Sequence, residues 1–178
     1  MAGIVRPQGQ KRRSRPLSEY GKQLSEKQKL KRLYNLKEAQ FKNYVKEVLK
    51  KRGRVEDPSI ILVKRLEMRL DNVIFKLGFA KTKPQARQLV SHGYFFVNEK
   101  KVNIPSYQTR KGDKISISPK KVQKKIFQNL SQILKKYESP SWLQLDKGKL
   151  EGKVIGEPSV QEASLPVEIP AIFEFYSR

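Results

Sequence analysis

The chain predicts a helix-rich α+β fold, on three observations. Apolar residues recur at helical spacing through most of the first 92 residues. At Tyr94 the pattern switches to short alternating runs, and helical spacing returns from Val122.

Residues 1–17 read as an extended basic arm. Pro7, Gly9 and Pro16 punctuate it, Lys11, Arg12, Arg13 and Arg15 charge it, and no apolar period runs through it. Ser18 is placed to cap a helix reaching about Tyr34, with Leu24, Leu30, Leu33 and Tyr34 loosely in phase. In a second helix over 37–51, Phe41, Tyr44, Val45, Val48 and Leu49 fall at i, i+3, i+4, i+7 and i+8. Asp57-Pro58 then pairs a capping residue with proline at the first helical position. Leu62, Leu66, Leu70, Val73, Ile74 and Leu77 follow as one stripe, which Gly78 ends. Thr82-Lys83-Pro84-Gln85 has the pattern of a capping box and opens a short helix, with Ala86, Leu89 and Val90 inward and Gly93 closing it. The strands are YFFVN, KVNI and KISIS, separated by turn signals at 98–100 and 111–113. Val122, Ile126, Leu130, Ile133, Leu134 and Tyr137 mark one more amphipathic helix. Residues 138–178 are broken by proline and glycine and close on an apolar run at 172–176.

Charge limits the function. Thirty-nine Lys and Arg face 17 Asp and Glu, a net +22 on 178 residues. The excess is +13 over 1–54 and +12 over 55–137, whereas 138–178 carry −3. So strong a positive field costs self-repulsion and points to a polyanionic partner. Nucleic acid fits better than a membrane, since the cationic helices lack a broad aromatic face. With no cysteine and one histidine, disulfides and ordinary transition-metal sites are excluded, so no cofactor is expected. The first sixteen residues hold no apolar core of signal-peptide length, and a soluble intracellular protein is expected.

The helix over 82–92 places Thr82, Lys83, Gln85, Arg87, Gln88, Ser91 and His92 off its apolar face, with Lys81 just before it. Arg69 and Lys76 are expected to project from the preceding helix, and Ser106-Tyr107 offers a ring for an unpaired base. On the first helix Tyr20, Lys22, Lys27, Lys29, Lys31 and Arg32 form a second cationic set. Asp71 reads as a structural acceptor for a nearby arginine, because no second carboxylate has the spacing to assist it in acid–base work. His92 has no evident nucleophile beside it, so the chain is not expected to be an enzyme.

The run RLDNVIFKLGFAKTKPQARQLVSHG resembles the helical half of the S-four RNA-binding domain, and VNEKKVNIPSYQTRKGDKISI resembles its β half. The flanks GQKRRSRPLSEYGKQLSEKQKLKRLYNLKEAQFKNYV, WLQLDKGKLEGKV and FEFYSR resemble the small-subunit ribosomal protein S-four family of bacteria and organelles. The resemblance implies a helical lobe from 18–57 and 138–178, with an S-four domain inserted over 58–137. That domain would pack two helices on a small, mostly antiparallel sheet.

It also implies a structural, rRNA-binding protein of the small subunit that binds the rRNA 5′ domain early in assembly. Such a protein would meet proteins S-five and S-three, and its arm would approach the channel through which mRNA enters. Phe173, Phe175, Tyr176 and Arg178 would serve the protein interface. The expected location is the ribosome, cytoplasmic or in an organelle. Most bacterial members carry a further N-terminal segment, often with zinc-binding cysteines, so here the arm is expected to order on RNA or neighbours. Ile169-Pro170-Ala171 replaces a usually polar stretch and is expected to alter the S-five contact. A regulatory or ribosome-rescue RNA binder is the alternative. An RNA-modifying enzyme would need a catalytic domain for which too few residues remain.

Overall fold

Ser18 starts the first helix by accepting a hydrogen bond from the Gly21 amide at 3.2 Å in the computed structural model, which describes residues 17–50 and 57–177. Helix α1 (Glu19–Leu33) leads into α2 (Glu38–Lys50), which buries Phe41, Val45 and Val48. Asp57 caps α3 (Pro58–Glu67) through the Ser59 amide at 2.7 Å, with Pro58 at the first position. Leu62, Val63 and Leu66 of α3 pack with Leu30, Tyr34, Phe41, Val45 and Val48. Helix α8 (Ile169–Ser177) completes this helical core with Ile169, Ile172 and Phe173, so the two ends of the described chain meet in one lobe.

The expected stripe from Leu62 to Leu77 is not one helix. It breaks at Met68 and Arg69, and α4 (Leu70–Lys76) starts afresh. Arg69 is extended at φ −67°, ψ 138° and bridges to Gln108. The next two amides, Leu70 and Asp71, donate to the carbonyls of Tyr107 and Pro105 at 2.9 and 3.2 Å. Those donors have partners outside the helix, so the break leaves none of them unsatisfied. It also divides the stripe between two cores. Leu62 and Leu66 face the helical lobe, while Leu70, Val73, Ile74 and Leu77 face a second core with α5 and the sheet.

Thr82 caps α5 (Lys83–Ser91) through the Gln85 amide at 3.3 Å, but the Gln85 side chain accepts from Lys81, not from Thr82. The sheet is antiparallel throughout, in the order β2-β1-β3-β5-β4. Strands β1 (Phe95–Val97) and β2 (Lys100–Val102) are joined by Asn98 and Glu99, both left-handed at φ 49° and 67°, as a two-residue hairpin turn demands. β3 (Lys114–Ile117) continues the sheet. Strands β4 (Leu143–Asp146) and β5 (Glu151–Val154) form a hairpin that sequence reasoning groups with the helical lobe. It extends the sheet instead, and Trp142, Leu143 and Val154 join the second core. Gly152 makes this possible, since a Cβ there would lie 2.3 Å from Leu77 Cδ1.

The expected helix over 122–137 is also shorter than its spacing suggests. A 3-10 turn (Lys125–Phe127) and α6 (Leu130–Lys135) replace it, leaving Ile126 and Ile133 exposed. The extended Lys124 shifts the phase so that Phe127 is buried, with its ring 5.8 Å from Tyr94 and 6.4 Å from Phe95. The short α7 (Val160–Ala163), capped by Ser159, precedes α8. Helices and one antiparallel sheet make the α+β class expected from the sequence.

Candidate RNA-binding surface

Where the lobes meet, polar groups are buried and paired. Glu67, 1% exposed, accepts from the Tyr34 hydroxyl at 2.5 Å and from Asn72 Nδ2 at 2.9 Å. Arg69, also 1% exposed, donates through Nε and Nη2 to the two Asp71 oxygens at 3.0 and 2.6 Å, and through Nη1 to the Tyr44 hydroxyl at 2.9 Å. Burial disfavours the Arg69 cation, but Asp71 and Tyr44 outweigh it and raise its pKa. Burial, with Glu67 alongside, pushes the Tyr34 phenol up.

Helix α5 is clamped onto this junction by two of its own cations. Lys83 Nζ sits 4.1 Å from the centre of the Tyr34 ring and 5.7 Å from that of Phe75, and burial lowers it to about 8 despite Glu67 and Asp71 nearby. Arg87 donates to the Asn35 carbonyl at 3.0 Å and to Gln40 Oε1 at 3.4 Å.

The expected RNA-facing residues therefore divide. Arg69 does not project; its donors are occupied in the interior. Lys83 and Arg87 hold the lobes together. Lys81, Thr82, Gln88, Ser91 and His92 are exposed, with Gln85 and Lys76 half-buried at their edge. Ser91 donates back to the Arg87 carbonyl, and the His92 carbonyl accepts from Lys121 at 2.5 Å. Thus the outward side of α5 offers amide, hydroxyl and imidazole groups, with the Lys81 cation just before the helix, and both lobes determine the helix's orientation.

Along α1, Lys27 is buried rather than outward. It bonds Glu38 at 2.8 Å and lies 4.4 Å from the centre of the Phe175 ring. Partial burial pushes the Glu38 carboxyl up, but hydrogen bonds from Lys27, Lys31 and Tyr176 outweigh it and hold it at about 2. Lys31 is half-buried at this same carboxylate, while Lys22 and Lys29 are exposed and paired with Glu19 and Glu26. Arg32 and Tyr20 are exposed, and the Tyr20 ring lies 5.5 Å from Phe175.

Tyr107 is not open for stacking. It is half-buried against the second core, whereas Ser106 is exposed. At the C-terminal end Phe173 is buried in the helical core, not at an interface; Phe175 and Tyr176 are half-buried against α1 and Phe41. Lys11, Arg12, Arg13, Arg15 and Arg178 lie outside the described residues.

Sequence reasoning missed a further cationic set, Lys101, Lys114 and Lys153 on the outer face of the sheet, with Lys147 and Lys149 in the β4–β5 turn. The alternation of KISI and EGKV is the signal that places them there. Among the described residues no cluster of acidic groups or histidine fits a metal ion, and no helix is long and apolar enough to cross a membrane.

Two family models match the chain. The S4 domain covers residues 68–115, and the ribosomal protein S4/S9 N-terminal domain covers 3–64, so the two matches part at the last turn of α3, just before the break at Met68 and Arg69. The small ribosomal subunit protein uS4 of a Sulfurihydrogenibium species is 44% identical over 173 residues, 97% of this chain and 81% of that protein. The uS4 of Thermodesulfovibrio yellowstonii is 45% identical over 97% of this chain and 82% of its own. That of Chloroflexus aurantiacus is 42% identical over 93% and 80%. With relatives this similar along nearly its whole length, the chain belongs to the uS4 family of small ribosomal subunit proteins.

Proposed function

We propose that the chain is a structural constituent of the small ribosomal subunit that binds the 5′ domain of its rRNA early in assembly. The observation that carries this is the α5 face. Gln88 and His92 are exposed on a helix that Lys83 and Arg87 lock to the helical lobe, and Lys81 is exposed just before it. A rigid cationic surface spanning two lobes suits folded RNA, which is read by shape and phosphate position more than by sequence. The arm with Lys11, Arg12, Arg13 and Arg15 would lie toward the path of entering mRNA. Proteins S-five and S-three would be the neighbours, reached in part through Phe175, Tyr176 and Arg178. The role is structural and not catalytic, and the location is the ribosome.

Sedimentation of an epitope-tagged chain through a sucrose gradient tests this. The chain should run with small subunits and with their early precursors. A chain that sediments free, or only with one mRNA, would favour a regulatory RNA binder.

A further inference from the structure

Between α2, the end of α3 and the segment 105–108 lies a cleft of about 610 Å³, lined by Gln40, Asn43, Tyr44, Arg65, Ser106 and Gln108, with Glu47 beside Arg65. Its walls are held in place. The Tyr107 and Pro105 carbonyls accept from Leu70 and Asp71, the Thr109 amide donates to the Met68 carbonyl at 2.8 Å, and Gln108 Nε2 donates to the Arg65 carbonyl at 3.2 Å. The volume lies within the roughly 300–1,000 Å³ typical of preformed sites for small ligands.

The charge of this recess is unusual for the molecule. On a chain of net charge +22, no lysine lines the cleft. Both of its arginines are already matched, Arg65 by an ion pair with Glu47 and Arg69 by Asp71. A phosphate would meet compensated cations and the Glu47 carboxylate. What the cleft offers instead is amides and hydroxyls, donors and acceptors side by side, against the half-buried Tyr44 ring. That set matches the polar edge and flat face of a nucleobase.

We infer that this cleft takes one unpaired base of the bound RNA, held by Asn43 and Gln108 against Tyr44, while phosphates are held elsewhere. This rests on the reading of the chain as a small-subunit rRNA binder. Asn43 and Gln108 are exposed, so replacing both leaves the two cores untouched. Gln108→Ala also releases the Arg65 carbonyl, so N43A alone is probed beside the double variant and should expose the same base.

The test uses the full chain bound to a transcript of the rRNA 5′ domain, probed with dimethyl sulfate, which methylates unpaired adenine and cytosine. The wild type should protect one such base that becomes reactive with N43A/Q108A. Affinity should fall about tenfold, with the salt dependence unchanged because no phosphate contact is lost. A photo-crosslinker in place of Asn43 should capture RNA in assembled subunits. An unchanged footprint and affinity, a reduced salt slope, or a crosslink to a neighbouring protein would each overturn the inference. A wild type that fails to bind the transcript would instead overturn the ribosomal reading and this inference with it.

Discussion

Lys83 Nζ lies 4.1 Å from the centre of the Tyr34 ring, so a cation from the first turn of α5 covers a phenol at the end of α1. The phenol in turn donates to the buried Glu67. One chain of contacts thus ties α5, the helix proposed to face RNA, to both lobes, and α5 cannot turn without disturbing the helical core.

Lys83 gives this junction a pH dependence. Burial lowers its ammonium from the ordinary 10.5 to about 8. Between those values the unfolded chain binds more protons than the folded one, so stability rises with pH across the window. The contribution is fully present above 10.5 and is lost as pH falls through about 8. Lys83→Met removes the titration. Urea midpoints measured from pH 7 to 10.5 should show the wild type gaining steadily on the variant; parallel curves would mean the ammonium is solvated.

Glu67→Ala leaves the buried Tyr34 hydroxyl without its acceptor, while Asn72 Nδ2 loses the carboxylate but keeps the Glu67 backbone carbonyl at 3.0 Å. The expected cost is about 1–3 kcal/mol, and Glu67→Gln should cost less because it keeps an acceptor oxygen. Equilibrium unfolding checks both. A loss within a few tenths for Glu67→Ala would mean that water reaches the network.

Gly152→Ala puts a methyl into Leu77, where the Cβ would stand 2.3 Å from Cδ1. Overpacking of this kind costs about 1–3 kcal/mol. The thermal midpoint should fall, and Gly152→Ala should cost less in a Leu77→Ala background than in the wild type, because the smaller side chain makes room. Equal costs in both backgrounds would place the strain elsewhere.

Much of this architecture is legible from local signals. Ser18, Asp57-Pro58 and Thr82 mark helix starts because capping is a contact within a few residues. The break at Arg69 is different, since it depends on carbonyls of Pro105 and Tyr107, far along the chain. The β4–β5 hairpin was obscured by a tail broken with proline and glycine, where Gly152 reads as a breaker and is in fact the point of close approach to Leu77. Charge misled most at the junction. Lys27 falls on the same helical stripe as Leu30 and Tyr34, and Arg69 falls between Leu66 and Val73. Their position on apolar stripes, more than their charge, indicates that both point inward.

That distinction separates two substitutions. Lys81→Ala should leave stability within about 0.5 kcal/mol and lower the slope of log affinity against log salt by about one, as for a single phosphate contact. Arg69→Ala should cost about 3–5 kcal/mol of stability, because Asp71 would remain buried without its partner. Filter binding and denaturation, run on both variants, check the pair. A salt slope that changes for Arg69→Ala but not for Lys81→Ala would invert the assignment.

The most direct measurement is binding of the purified chain to the 5′ domain of its small-subunit rRNA across a salt series, against an unrelated structured RNA of equal length. A rigid two-lobed surface predicts nanomolar affinity for the cognate RNA, a clear preference over the control, and a steep loss with salt. Equal affinity for both RNAs would contradict it, leaving the +22 charge to act as a general attraction to phosphate.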